Sequence, residues 1–326
     1  MKIAVVGAGS IGGYLGARLA LAGETVTFVA RGANLSTINS SGFRLIEEDG
    51  SERTAKQVRA VQSMADAGPQ DCVLLALKAH QVAALARDVP ALFHEGTTVV
   101  TLQNGIPWWY FHGHGGPHDG RRIESVDPGG AVSRVIAPER AIGCVVYVST
   151  ELVAPGVIRH IEDVRFPVGE PSGGTSERCS QFSAAMRAGG LKAPVIRDIR
   201  QQIWLKVMGN AVFNPLSALT RATMGEICAD PGARASAERM MLEVLEIAAA
   251  LGREPRVSVE QRMAGAEAVG DHRTSMLQDL EAGKALELDA LVAAVIELAD
   301  LTGVAAPSLR TVYAATDLLA RGLGQR

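Results

Sequence analysis

Short apolar runs alternate with amphipathic segments along the first hundred residues. The apolar runs are continuous, as is typical of strands that are buried on both faces of a sheet. They lie at 2–7, 25–30, 71–77 and 97–102. Two segments between them, 10–22 and 80–92, carry apolar residues at helical spacing. This alternation predicts an α/β fold whose N-terminal part is a Rossmann-like doubly wound sheet covered by helices.

Further apolar runs extend this pattern to the middle of the chain, and the pattern then changes near residue 197. Strand-like runs occur at 141–148, 156–161, 164–169 and 194–199, with a helical segment at 175–190. Beyond them, helical spacing covers 201–213, 216–228, 233–251, 257–269 and 286–302. We therefore predict a sheet domain over 1–197 and an all-helical C-terminal domain over 198–326. Pro215 disfavours helical geometry at the residue before it, so we expect a helix to end at Asn214.

The segment 106–134 interrupts the sheet pattern with many Gly, His and Pro residues and three consecutive aromatic residues, Trp108, Trp109 and Tyr110. We interpret it as a long insert that runs over the surface. Its rings either cover a substrate pocket, of this chain or of a partner subunit, or only anchor the loop. Metal binding by the insert's histidines is not expected, because no cysteine or carboxylate pair accompanies them. These histidines are His112, His114 and His118.

Composition excludes several classes of protein. Hydrophobic residues make up 47% and charged residues 21% of the chain, and its net charge is −3. No run of Lys and Arg is long enough to predict a nucleic-acid partner, and no apolar stretch is long enough to predict a membrane span. The cysteines are far apart, which fits a reducing, cytoplasmic location. They are Cys72, Cys144, Cys179 and Cys228.

A glycine-rich motif of the form G-x-G-x-x-G follows the first predicted strand and opens the first predicted helix. In this context the motif predicts a dinucleotide-binding loop, in which backbone N–H groups and the helix N-terminus face a pyrophosphate. Its alternative is a structural glycine turn. The residues concerned are Gly7, Ala8, Gly9, Ser10, Ile11 and Gly12.

The residue after the second predicted strand indicates which dinucleotide binds. An Asp or Glu at this position would bind the ribose 2′-hydroxyl of NAD. The chain has Arg31 instead, whose guanidinium suits the 2′-phosphate of NADP. We therefore predict NADP as the cofactor, with an exposed loop arginine as the alternative.

Polar residues at two further strand ends and on one helix face form the remaining candidate site. Lys78 and Asn104 follow predicted strands, where ligands of open α/β sheets bind, although polar strand ends are also common without function. Lys206, Asn210 and Asn214 are spaced i, i+4, i+8 among apolar residues, so they share one helix face. The chain has only six lysines among 32 basic residues. Because the chain mostly uses arginine, a lysine in apolar surroundings suggests a position where the cation must release a proton, which arginine cannot do. The alternative is that the Lys206 side chain only extends to the edge of a domain interface.

The chain resembles the ketopantoate reductases (2-dehydropantoate 2-reductases) over nearly its whole length, and its motifs occur in the same order as in that family. The resemblance rests on GAGSIGG, Arg31, LALKAHQ, LQNG, WLKVMGNAVFNPLSAL, TSMLQD and LELDAL. It implies an N-terminal domain that binds NADPH, a helical domain for substrate binding and dimerisation, and reduction of a 2-oxo acid to a 2-hydroxy acid. The 2-oxo acid would be 2-dehydropantoate or a related compound, as in pantothenate biosynthesis. The partners of the protein would then be this small molecule and, if the protein forms a homodimer, a second copy of the chain.

The resemblance also implies roles for individual residues. Lys206 corresponds to the family's proton donor, and Glu287 to the acid that contacts the cofactor ribose and helps position that lysine. Lys78 and Asn104 correspond to cofactor and substrate contacts beside the nicotinamide, and Ser149 to a backbone contact on the nicotinamide side. Further residues correspond to those that hold the hydroxyl and carboxylate ends of the substrate. They are Asn210, Asn214 and Ser275.

Two departures and two alternative functions accompany the resemblance. The family typically has a much shorter connection after LQNG. Met224 also stands where members of the family place another amide that binds the substrate. Because of these two departures, the pocket can prefer a different oxo acid.

A 3-hydroxyacid dehydrogenase of the β-hydroxyacid type would share the Lys-x-x-x-Asn pattern but not the TSMLQD and LELD segments. A non-catalytic NADP sensor would need the glycine loop but neither Lys206 nor Glu287. The residues alone allow a simpler interpretation of Glu287 and Asp289. Both lie at the start of an apolar helix, where the helix dipole stabilises negatively charged side chains.

Overall fold

The computed structural model describes all residues, 1–326, and they divide into two compact units. The first unit comprises Met1–Gln103, Trp108–Arg122 and Gly129–Ile199. The second comprises Asn104–Pro107, Ile123–Pro128 and Arg200–Arg326. The predicted insert is therefore divided, since its two shorter pieces pack with the helical unit.

Eleven strands and five helices build the first unit. In chain order, strands β1 to β11 are Lys2–Val6, Thr25–Val29, Phe43–Ile46, Glu52–Ala55, Val58–Val61, Cys72–Leu75, Thr98–Thr101, Ala141–Cys144, Ser149–Ala154, Val157–Glu162 and Val168–Gly169. Helices α1 to α5 are Ser10–Leu21, Gly32–Ser41, Met64–Ala67, Ala79–Leu85 and Glu177–Ala188. Short 3₁₀ segments lie at Ala86–Leu92, Pro128–Gly130 and Pro138–Arg140.

The main sheet has seven strands in the order β11-β8-β7-β6-β1-β2-β5. All neighbouring pairs are parallel except β8 and β11. The chain passes from β1 to one side of the sheet and later returns through β6 on its other side. The carboxyl end of β1 is therefore a topological switch point, where ligands of such sheets bind. The predicted α/β fold with a doubly wound parallel sheet is confirmed.

A second sheet in the order β4-β3-β10-β9 packs against α1 and was not predicted. Its contact with the helix is close, because a Cβ on Gly13 would lie 2.4 Å from the Phe43 ring. The β3–β4 hairpin is short, and β4 is largely exposed and polar, so its sequence lacks the apolar alternation that indicates a strand. The predicted run at 164–169 keeps only β11, and 194–199 forms only an isolated bridge at Val195.

The aromatic residues of the insert are core residues, which corrects the prediction of a purely surface loop. Trp109 is 2% exposed, and its indole Nε1 donates a hydrogen bond to Thr101 Oγ1 at 3.0 Å. The same ring lies over Gly143, where a Cβ would be 2.8 Å from it. Trp109 therefore anchors the insert on β7 and β8, as the second of the two alternatives expects.

Seven α-helices and one π-helical turn build the second unit. Helices α6 to α12 are Ile199–Thr220, Met224–Ala229, Pro231–Ala250, Val259–Val269, Ser275–Glu281, Ala294–Thr302 and Pro307–Gly322. The π-helical turn is Asp289–Ala293. No helix of the structure combines the length and the apolar character needed to cross a membrane.

Helix α6 continues past Asn214, contrary to the prediction that it ends there. Pro215 lies inside the helix and removes one backbone donor. The residues around it are nevertheless buried, with Phe213 at 1% and Ala218 at 1% exposure. Their packing outweighs the local preference at Pro215, and it keeps Asn214 on a regular helix.

Candidate active site

In the glycine loop between β1 and α1, a larger residue at either of two glycines would clash with neighbouring atoms. Gly7 has φ +106°, and a Cβ there would lie 2.6 Å from the Ala76 carbonyl oxygen. A Cβ on Gly12 would lie 2.0 Å from the Gly7 oxygen and 2.7 Å from Ala76 Cβ. The loop therefore makes a tight turn, and α1 packs directly on the strand ends.

Gly9, by contrast, faces open space at the N-terminus of α1. A Cβ built on it would meet no atom within 4 Å. No side chain caps this helix end, and its first turn carries no acidic residue. The adjacent Ser10 and Ile11 are half-buried. An uncapped helix N-terminus with room before it suits an anion such as a pyrophosphate, so the residues present fit a dinucleotide.

Asn34 holds this loop in place and was missed by the sequence analysis. Its Nδ2 donates to the Ala8 carbonyl oxygen at 3.1 Å, and its Oδ1 accepts from the Gly156 N–H at 2.9 Å. One amide thus fixes the glycine loop to the turn between β9 and β10. No local sequence signal distinguishes Asn34 from an ordinary polar residue of a helix.

Arg31 lies at the N-cap of α2, directly after the β2 strand and its neighbour Ala30, and its side chain is exposed. The first turn of α2 contains no acidic residue. Arg31 therefore places a positive charge at this end of the strand, and the first turn of α2 supplies no carboxylate for a ribose hydroxyl. Ser149 begins β9 and pairs with Glu162 of β10, in the second sheet.

Lys78 lies at the N-cap of α4 and is half-buried. Its backbone N–H donates to Gln81 Oε1 at 3.1 Å. Gln103 fixes the preceding strand end, since its Nε2 donates to the carbonyl oxygens of Leu75 at 2.6 Å and Leu77 at 3.1 Å. Gln103, which was not predicted, thus has a positioning role at the end of β6.

In the second unit, α6 carries the three predicted residues on one face. Lys206 and Asn210 are half-buried, and Asn214 is buried at 4% exposure. Asn214 Nδ2 lies 3.5 Å from Ser275 Oγ, so the structure brings these two predicted residues together.

The position of Ser275 is set by its neighbour in the chain. Thr274 Oγ1 is 2.6 Å from Ser217 Oγ and accepts a hydrogen bond from the Leu277 N–H as the N-cap of α10. Ser217 Oγ also donates to the Asn214 carbonyl oxygen at 2.9 Å. These buried hydroxyls connect α6 to α10, and the connection holds the Asn214 and Ser275 side chains in register.

Asn104 belongs to the second unit, where its segment lies beside the turn that follows Glu287. A Cβ on Gly105, whose φ is +88°, would lie 2.2 Å from the Ala290 carbonyl oxygen. The same oxygen accepts a hydrogen bond from the Ile106 N–H at 2.9 Å. Ala290 lies in the π-helical turn, a feature that is frequent at functional sites.

Glu287 is half-buried and precedes this turn, whereas Asp289 is its first residue. The Asp289 carboxylate binds the Arg326 guanidinium at 2.5 and 2.9 Å. Asp289 therefore has a structural partner in addition to the helix dipole. Glu287 stays a predicted site residue on the basis of the family resemblance.

Other reactive groups do not form a second centre. No group of three or more His, Cys, Asp and Glu side chains is arranged to hold a metal ion. All four cysteines are buried. Burial raises the pKa of the Cys179 thiol to about 11, and it also raises the pKa of the Cys72 thiol. Both side chains therefore stay protonated near neutral pH and are poor nucleophiles.

Comparison with known proteins places both parts of the chain in one family. The family described as ketopantoate reductase PanE/ApbA matches residues 3–108, and its C-terminal counterpart matches residues 198–320. The chain is 51% identical over 321 residues to the 2-dehydropantoate 2-reductase of Mesorhizobium japonicum, covering 98% of each protein.

Solved structures agree with this assignment. A protein of Ralstonia solanacearum named as a ketopantoate reductase has a TM-score of 0.94 and 41% identity, with 100% of this chain and 99% of that chain covered. The 2-dehydropantoate 2-reductase of Geobacter metallireducens has a TM-score of 0.85 and 27% identity, with 98% and 100% covered. The chain therefore belongs to the ketopantoate reductase family of nicotinamide-dependent oxidoreductases, which act on CH–OH groups.

Proposed function

We propose that the protein reduces 2-dehydropantoate, or a closely related 2-oxo acid, to the 2-hydroxy acid with NADPH. The observation that carries this proposal is the α6 face, on which Lys206 and Asn210 accompany an Asn214 amide that meets Ser275. A 51% identical relative is named for this activity. The matches to both family descriptions favour this function over that of a β-hydroxyacid dehydrogenase.

The first unit would bind the cofactor through the glycine loop. Gly9 and the uncapped N-terminus of α1 leave room and N–H donors for the pyrophosphate. Arg31 would bind the 2′-phosphate of NADPH, and Lys78 and Ser149 would contact the rest of the cofactor. The family resemblance assigns Glu287, a residue of the second unit, to the cofactor ribose. When bound, NADPH supplies the hydride for the reduction.

The second unit would bind the substrate and supply the proton. Lys206 would donate a hydrogen bond to the oxo oxygen, stabilise its growing negative charge and release a proton to it, while Glu287 helps position the ammonium group. Asn104 and Asn210 would orient the oxo group. General acid catalysis by a residue such as Lys206 typically contributes roughly 10²–10⁴-fold in rate. The remaining substrate ends would be held by Asn214 and Ser275.

The proposal is tested by measuring NADPH and NADH oxidation with a panel of 2-oxo acids that includes 2-dehydropantoate. We expect turnover with 2-dehydropantoate or a near relative, and a lower KM for NADPH than for NADH. If purified, folded protein oxidised neither cofactor with any 2-oxo acid, the proposed reaction would be wrong. The same panel with 3-hydroxy acids and oxidised cofactor tests the dehydrogenase alternative.

A further inference from the structure

The Asn34 side chain connects two parts of the first unit through one amide group. Its nitrogen Nδ2 donates to the Ala8 carbonyl oxygen in the glycine loop at 3.1 Å. Its oxygen Oδ1 accepts from the Gly156 N–H, in the turn between β9 and β10, at 2.9 Å. Because the donor and the acceptor of an amide are different atoms, the bond to Gly156 determines which atom of Asn34 faces Ala8. The Ala8 oxygen therefore meets a donor whose orientation is fixed.

The Gly156 end of this connection is held from two sides. The Gly156 carbonyl oxygen accepts from the Arg44 N–H of β3 at 2.8 Å. Gly156 has φ +69°, and a Cβ on it would lie 2.8 Å from Thr37 Cγ2 of α2. The turn is thus bonded to the second sheet and lies directly on α2. Asn34 is supported from outside the glycine loop.

The bond to Ala8 determines where the next N–H group of the loop points. The Ala8 oxygen and the Gly9 hydrogen belong to one planar trans peptide group, in which the C=O and the N–H point in opposite directions. With its oxygen held by Asn34, this peptide directs the Gly9 N–H away from Asn34. No group of the protein accepts a hydrogen bond from the Gly9 N–H, and a Cβ on Gly9 would meet no atom within 4 Å. The donor is therefore oriented but has no acceptor within the protein.

We propose that Asn34 is a positioning residue for the cofactor, because it holds the Gly9 N–H in the orientation that donates to the pyrophosphate. This inference rests on the proposed function, in which the dinucleotide binds at the glycine loop. If binding had to order this peptide, affinity would be lost, since ordering the backbone of one residue changes an equilibrium constant about 5- to 30-fold. The second sheet then contributes to cofactor binding, because it holds the turn on which Asn34 depends.

The test compares ligands that do and do not contain a pyrophosphate. In Asn34→Ala, Kd for NADPH, NADH and ADP-ribose should rise by the same factor, about 5- to 30-fold, because all three contain this group. Kd for 2′-AMP should stay unchanged, because this fragment has the 2′-phosphate without the pyrophosphate. Fluorescence titration measures NADPH binding, and competition against NADPH measures binding of the fragments. Arg31→Ala should give the opposite pattern, with weaker binding of 2′-AMP and unchanged binding of ADP-ribose.

Two further variants separate the proposed role from general damage to α2. In Asn34→Asp the carboxylate still accepts from the Gly156 N–H but has no proton to donate to the Ala8 oxygen, so Kd for ADP-ribose should rise at least as much as in Asn34→Ala. Asn39→Ala is the matched control on the same helix. Asn39 also bonds the N–H and the carbonyl oxygen of one backbone residue, Ala60, at 2.8 and 2.9 Å, but Ala60 lies on β5, two strands from β1. This control should lose stability in thermal unfolding without a change in any Kd.

Several results would overturn the inference. Unchanged Kd for NADPH in folded Asn34→Ala, or an equal loss of affinity for 2′-AMP, would leave Asn34 with only a structural role. The same conclusion would follow if neither Asn34 variant folded, or if Asn39→Ala weakened NADPH binding as much as Asn34→Ala. If the natural protein bound neither NADPH nor NADH, the proposed function would fail first and this inference with it.

Discussion

Replacing Gly9 by alanine should weaken cofactor binding without unfolding the protein. The new Cβ would meet no protein atom within 4 Å, and the backbone at Gly9, with φ −80° and ψ −164°, is accessible to alanine. Alanine is a poorer N-cap than glycine, so we expect a loss of at most about 1 kcal/mol in the free energy of unfolding.

The effect on NADPH follows from what the Cβ would occupy. It fills the space before the N-terminus of α1, so a pyrophosphate there would have to retreat from at least one backbone N–H donor. A hydrogen bond to a charged group contributes about 1.5–3 kcal/mol, which corresponds to an increase of roughly 10- to 150-fold in Kd. Fluorescence titration with NADPH measures this Kd, and thermal unfolding measures the stability.

Gly12→Ala is the matched control in the same loop. Its Cβ would lie 2.0 Å from the Gly7 oxygen, which is part of the backbone and cannot move cheaply. We expect this variant to lose stability, by about 1–3 kcal/mol or more, as overpacked cores do. A Gly9→Ala protein that bound NADPH with unchanged Kd, or that unfolded as readily as Gly12→Ala, would refute the assignment of this space to the cofactor.

Two further predictions concern charged groups of the first unit. Arg31→Ala should reduce the preference for NADPH over NADH by about 10-fold or more, because the 2′-phosphate loses a charged partner; equal preference before and after the change, measured by titration with both cofactors, would contradict this. Glu170 is 6% exposed, and burial alone would raise its pKa, but hydrogen bonds from Arg178, at 2.5 and 2.7 Å, and from Ser176 outweigh burial and lower the pKa. A lowered folded pKa stabilises the protein above the unfolded value of about 4.3, and this contribution is lost as the pH falls through the folded value. In thermal unfolding across pH, the stability difference between the natural protein and Glu170→Gln should therefore shrink in acid, and a difference that does not depend on pH would be inconsistent with this account.

The elements that the sequence predicts correctly are those whose own residues carry the signal. Strand β1 is a continuous apolar run, and the glycines after it are required by contacts of 2.0–2.6 Å. The α6 face was visible from the spacing of Lys206, Asn210 and Asn214. In these places, the local pattern and the tertiary structure agree.

The elements that were missed depend on partners far away in the chain. Helix α2 has a polar sequence typical of a loop, and it is held by Asn39, whose Oδ1 accepts from the Ala60 N–H at 2.8 Å and whose Nδ2 donates to the Ala60 carbonyl oxygen at 2.9 Å. The continuation of α6 through Pro215 is likewise due to burial.

The same holds for the candidate site. Asn214 meets Ser275 across 61 residues, and the segment after Asn104 bonds to Ala290. No periodicity or spacing encodes these contacts. The resemblance to a family supplied the residues, and only the structure shows which of them are neighbours.

The proton-donor role of Lys206 is tested most directly by comparing turnover and cofactor binding in Lys206→Ala. The glycine loop and Arg31 are unchanged in this variant, so Kd for NADPH should stay close to that of the natural protein. Turnover of the 2-oxo acid should fall by at least ~10², because the proton donor and the charge that stabilises the oxo oxygen are both removed. Lys206→Arg should restore little, since arginine keeps the charge but does not release a proton. A Lys206→Ala protein that binds NADPH and reduces its 2-oxo acid at a near-normal rate would contradict the mechanism, and Lys78 would become the next candidate.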